Sequence, residues 1–142
     1  MELQNPFAGK WTYRSFVNNP DPVGDDPQRA LALIFGEGQL TIDDSGFGDL
    51  QGVVSFGDQY ILDLKGWTAY GTPFTARFEG VGRKGTQAEG WVYDYLGYLI
   101  PNWPNGVGQR AAIVGSVIRT VPHNGGAAKA GYVASFVAVQ QD

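Results

Sequence analysis

Apolar and polar residues alternate with a period of two along most of this chain, and glycine, proline, asparagine or aspartate interrupts the alternation at short intervals. In residues 74–82, Phe74, Ala76 and Phe78 share one face, while Thr75, Arg77 and Glu79 share the other. In residues 59–68, Tyr60, Leu62 and Leu64 oppose Asp63 and Lys65. That pattern is a strand with one face buried. No stretch carries the i, i+3, i+4, i+7 spacing with good helix formers, so the chain is expected to be all-β with little or no helix.

Eight such runs can be marked: 10–18, 30–43, 49–56, 59–68, 74–82, 89–100, 110–121 and 131–141. The second is expected to bend or bulge at Gly36-Glu37-Gly38. The links at 57–58, 69–73, 83–88, 101–109 and 122–130 are short, which makes successive strands antiparallel neighbours. Eight meandering strands predict a closed up-and-down barrel, because closure removes the exposed sheet edges. A barrel of this size either fills its interior with side chains or holds one small ligand. The Pro- and Asp-rich stretch 18–27 is the longest irregular connection and is expected to arch over one mouth. A length of 142 residues with 43% hydrophobic content fits a single domain spanning 1–142.

Charge narrows the choice of partners. The net charge is −4 and no basic cluster exceeds Arg83-Lys84, which argues against nucleic acid and anionic membrane. There is no cysteine, so thiolate chemistry and Cys-ligated metals are excluded. The N-terminus lacks the basic and apolar regions of a secretory leader, and the longest apolar run, 30–35, is too short to span a bilayer. The expectation is a soluble, cytoplasmic protein.

The last two runs differ from the others because both of their faces are apolar. Ala111, Ile113, Gly115 and Val117 oppose Ala112, Val114, Ser116 and Ile118; Tyr132, Ala134, Phe136 and Ala138 oppose Val133, Ser135, Val137 and Val139. A barrel buries its outer face only against another segment or another subunit, so a homo-oligomer through 110–121 and 131–141 is expected.

Phe7-Ala8-Gly9-Lys10-Trp11 opens the first strand with Gly-x-Trp, a motif that resembles the start of calycin barrels: the lipocalins, fatty-acid-binding proteins and avidins. That resemblance implies a Trp at the closed end of the barrel beside a basic residue of a late strand, for which Arg119 is the candidate. Length and the helix-free meander are most similar to an avidin-type barrel. The biotin-contacting residues of avidins find no one-by-one counterpart here, so the resemblance does not imply biotin.

Motifs for specific chemistry are weak. Residues 80–85 spell G-x-G-x-x-G, but a strand-like run follows where dinucleotide binding needs a helix. Asp43, Asp44 and Asp49 lack the spacing of a calcium loop. His123 is the only histidine and sits in a turn, so no metal site and no cofactor is called for. Asp94 either faces the interior as a carboxylate of raised pKa or faces out to pair with Arg77 or Arg110. With Arg77 and Glu79 it makes the short list for acid–base catalysis.

The aromatic content is the stronger hint. Tyr13, Tyr60, Phe78, Trp91, Tyr93, Tyr98 and Trp103 are the candidate lining of a pocket for a small hydrophobic or aromatic molecule. Pro101 and Pro104 stiffen the link that carries Trp103, which is expected to roof the pocket or to meet a neighbouring subunit. The favoured function is binding of an apolar or aromatic small molecule. The alternatives are a cofactor-free cyclase or isomerase that positions its substrate, and an assembly protein with a filled barrel.

Overall fold

The computed structural model describes residues 5–18, 24–103 and 105–141. Eight antiparallel strands form a closed barrel in sequence order: β1 (Gly9–Val17), β2 (Ile34–Ile42), β3 (Leu50–Ser55), β4 (Ile61–Ala69), β5 (Thr75–Gly82), β6 (Val92–Ile100), β7 (Ala112–Val121) and β8 (Val133–Gln140). β8 closes on β1, with Trp11 opposite Gln140 and Val17 opposite Ala134. The outcome is the all-β meander that the alternation predicts.

One part of the second run folds otherwise. Residues Pro27–Leu31 form a short helix, α1, and β2 begins only at Ile34. Asp26 caps this helix by accepting from the backbone N–H groups of Gln28 and Arg29, and Pro27 opens its first turn. An N-cap followed by proline is a helix start, and here it outweighs the apolar run behind it. The helix buries none of its residues, and Leu31 stays exposed. Of the connection at 18–27, residues 19–23 lie outside the described residues.

One end of the barrel is filled. Residues 5–8 fold beneath it: the backbone N–H of Phe7 bonds Asn5 Oδ1 at 3.0 Å, and Asn5 Nδ2 donates to the Asp49 carbonyl at 3.2 Å. Trp11 is fully buried, and its Nε1 donates to the Phe7 carbonyl at 3.0 Å. Gly48 N–H bonds Thr68 Oγ1 at 2.9 Å, which ties the β2–β3 link to β4. These polar groups of the plug thus keep hydrogen-bond partners, as burial requires.

Above the plug lies a layer of aromatic rings. Tyr13 stacks on Phe136 at 5.7 Å, Phe78 stacks on Tyr95 at 4.8 Å, and Tyr13 meets Tyr95 edge-on at 6.3 Å. Inward glycines make room for them. A Cβ at Gly97 would lie 3.0 Å from both Phe136 Cζ and Ile113 Cγ2. Large rings over glycines let opposite walls interdigitate at native density.

Odd-numbered strands all run from the plug towards the opposite mouth. The start of β1 and the end of β7 therefore lie at opposite ends of the barrel. This corrects the role that the calycin resemblance implies for Arg119: it is far from Trp11 and stands at the open mouth, paired with Tyr93. Two register shifts occur at that mouth. Ser15 pairs with Gly36 but Phe16 with Ile34, which leaves Phe35 as the extra residue; Tyr93 pairs with Arg119 but Val92 with Val121, which leaves Thr120. The irregularity expected at Gly36-Glu37-Gly38 thus falls at Phe35, the residue just before that stretch. Bulges bend their strands and re-aim side chains, and these two lie where Phe35 and Arg119 approach each other.

Among the described residues, no helix is long and apolar enough to cross a membrane.

Candidate functional site

The open mouth holds a cavity of about 300 Å³. Its deepest lining is Ser15, Leu62 and Tyr95, all buried. Phe35, Phe56, Tyr60, Trp91 and Tyr93 form the wall, and Gly36 and Glu37 of β2 complete it. The Glu37 carboxylate turns outward to Arg14 at 3.4 Å, so it leaves the cavity without a negative charge. Gly36 keeps the space open: a Cβ there would lie 3.1 Å from both Ser15 Oγ and Phe56 Cε1.

The rings hold one another in place. Tyr60 packs on Trp91 at 5.4 Å and its hydroxyl donates to Gln87 Oε1 at 2.7 Å. Trp91 stacks on His123 at 4.5 Å, and Tyr93 meets Trp91 edge-on at 6.3 Å. Phe35 faces Tyr93 at 6.2 Å and stacks on Tyr132 at 5.3 Å.

Two polar features stand out in this apolar setting. Ser15 is only 1% exposed, and its Oγ has no hydrogen-bond partner. Burial dominates the Tyr13 phenol and pushes it up to about 12, although the neighbouring Ser15 and Tyr95 hydroxyls ease its ionisation. Burial likewise raises Tyr95 well above the usual tyrosine value. The deep end of the cavity is therefore neutral and offers hydroxyls. The second feature is Arg119, 8% exposed, with Cζ 5.5, 5.6 and 5.2 Å from the ring centres of Phe35, Tyr93 and Tyr132. Its Nε donates to the Tyr93 hydroxyl and its Nη1 to the Lys129 carbonyl, both at 3.2 Å. Burial first, and then the charge of Arg119, lowers the pKa of His123, whose Nδ1 has no hydrogen-bond partner.

Of the residues expected to line a pocket, Tyr60, Trp91 and Tyr93 meet at this cavity. Tyr13 and Phe78 are buried in the ring layer beneath it. Tyr98 faces the outer surface, 45% exposed, because it shares a face with Asp94 and Leu96 rather than with Tyr93 and Tyr95. Trp103 is 60% exposed and belongs to the link between β6 and β7, at the plugged end; it bridges Gln109 through paired backbone bonds of 2.9 Å. The structure brings neither Tyr98 nor Trp103 to the cavity. The acid–base candidates are also outside it: Arg77 Nη2 pairs with Asp94 Oδ2 at 3.1 Å on the outer face, and Glu79 is exposed beside them.

Ser15, Phe35, Gly36, Phe56, Leu62, Tyr95 and Arg119 complete the mouth, and sequence reading left them out of the pocket. Strand parity was the signal for several of them. Residues at the ends of odd strands and the starts of even strands meet at one mouth, whatever their chemistry.

The chain matches no protein-family model, and no curated protein or solved structure is significantly similar to it.

Proposed function

We propose that this chain is a small-molecule-binding barrel that takes one flat, apolar or aromatic ligand in the mouth cavity. The observation that carries this reading is the asymmetry along the barrel axis: fully buried Phe7 and Trp11 fill one end, while the other keeps about 300 Å³ ringed by Phe35, Phe56, Tyr60, Trp91 and Tyr93. Few convergent polar groups in an aromatic wall are the usual make-up of a ligand pocket. A filled assembly barrel accounts for the plug but not for the hollow. A positioning enzyme gains no support from Asp94, Arg77 and Glu79, which lie on the other side of the wall. The Gly-x-Trp start and the eight-strand meander favour a calycin-like kinship, nearest in length to the avidin type.

The test is titration with the neutral fluorophore N-phenyl-1-naphthylamine. Saturable binding of one molecule per chain is expected. It should be lost in Gly36→Leu, which fills the cavity, and weakened in Trp91→Ala. Absence of saturable binding to the unaltered protein overturns the reading.

On the outside, we propose that a second copy of the chain covers β7 and β8. Their outward positions, Ala112, Val114, Ser116 and Ile118 with Val133, Ser135, Val137 and Val139, carry no charge. Leu96 and Tyr98 of β6 and Phe16 of β1 continue this exposed apolar face on either side. A contiguous apolar face of this kind is uncommon on a monomer. A monomeric mass by light scattering at micromolar concentration contradicts this assembly.

A further inference from the structure

Resting on the cavity reading above, we infer that the ligand is an acid: its carboxylate binds Arg119 at the rim while its apolar body lies among the rings. Arg119 is a cation taken almost wholly out of water, and among the described residues no carboxylate pairs with it. The three ion pairs, Arg14–Glu37, Arg77–Asp94 and Arg83–Asp63, all involve other cations. Removing a guanidinium from water is costly unless an anion meets it. Contacts with the faces of Phe35, Tyr93 and Tyr132 offset only part of that cost. The two hydrogen bonds engage Nε and Nη1 and leave Nη2 without a partner among the described residues.

The placement suits a ligand better than a purely structural role. Arg119 bonds the hydroxyl of Tyr93 and packs on Phe35, and both of these residues line the cavity. The planar fork of an arginine matches a carboxylate in geometry as well as charge. At the other extreme of the cavity, Ser15 Oγ is buried and unpartnered. It supplies one neutral hydrogen bond where the two buried phenols disfavour any charge. A ligand with an aromatic or apolar body and an acidic group turned to the rim satisfies both ends.

The experiment compares 2-naphthoate with 2-naphthamide at neutral pH, following tryptophan fluorescence. The two share ring and shape and differ in charge. The naphthoate should bind tighter by about tenfold or more, the factor that a charge-assisted hydrogen bond carries. Arg119→Gln should abolish that preference: whatever the exchange does to the affinity both probes share, the ratio of naphthoate to amide should fall to within about twofold of one. Higher salt should weaken the naphthoate alone. The comparison on the unaltered protein stands even if the variant fails to fold. Equal affinities, or a preference for the amide, overturn the role of Arg119 while leaving the cavity reading in place. Failure of both probes to bind overturns both.

Discussion

Replacing Ser15 with alanine should make this protein more stable, the reverse of the usual effect of truncating a buried residue. The hydroxyl is 1% exposed and makes no hydrogen bond of good geometry, with the Tyr13 hydroxyl close by. A buried polar group without a partner costs about 1–3 kcal/mol. The low end applies because the Tyr13 hydroxyl lies close by and offsets part of the cost. Only the oxygen is removed and Cβ remains, so the packing loss is small at a site that borders the cavity. The balance favours Ser15→Ala by about 1 kcal/mol. For a chain of this size that raises Tm by about 3–4 °C. Urea unfolding followed by far-UV circular dichroism should show a higher midpoint at unchanged slope. A loss of about 1 kcal/mol would instead mark a hydroxyl with a partner, most simply Tyr13, and would refute the reasoning. Ser15→Val separates volume from polarity: its extra methyl groups enter the cavity and should displace a bound probe.

Three further outcomes follow from the same geometry. His123 has its pKa lowered from 6.5, so the unfolded chain binds more protons than the fold as pH drops through that value; stability should fall there and level off below the folded pKa, a decline that His123→Gln removes when Tm is followed from pH 7.5 downward. Tyr13, raised from 10.0 to about 12, and Tyr95, raised as well, should stay protonated in an ultraviolet titration after the exposed phenols have ionised; stability should be insensitive to them below pH 10 and decline above it, and early ionisation of all tyrosines contradicts their burial. Trp103→Ala should leave naphthylamine binding unchanged because Trp103 lies at the plugged end, whereas a loss comparable to that of Trp91→Ala would place it at the cavity.

Much of the barrel was legible because its signals are local. The alternation Phe74, Ala76, Phe78 against Thr75, Arg77, Glu79 reports burial directly, and the structure buries Ala76 and Phe78. Residues 30–31 misled because apolar content suggested the start of a strand, while the Asp26–Pro27 cap carries a helix turn through them. The site was harder to read because it is assembled from positions far apart in sequence and of ordinary chemistry. Phe35 reaches the mouth through a bulge, which shifts the inside–outside pattern by one residue, and no composition signal marks that. Arg119 was placed by analogy with a motif, although strand direction alone sends it to the other end from Trp11. Tyr98 shows the limit of aromatic content as evidence: two residues of one type and one strand, Tyr95 and Tyr98, face opposite sides.

The plug and the mouth are built from different parts of the chain, and this gives the barrel room to change. Closure depends on ladder hydrogen bonds, on the folded segment 5–8 and on the rings seated over glycines. The mouth depends on strand ends and on the links around 56–60, 83–91 and 122–132. If the proposed binding holds, exchanging a rim side chain should alter what the hollow accepts without disturbing what shuts the cylinder. Such a scaffold suits directed diversification: a library confined to Phe35, Phe56, Tyr60 and Trp91 samples new specificities on an unchanged foundation.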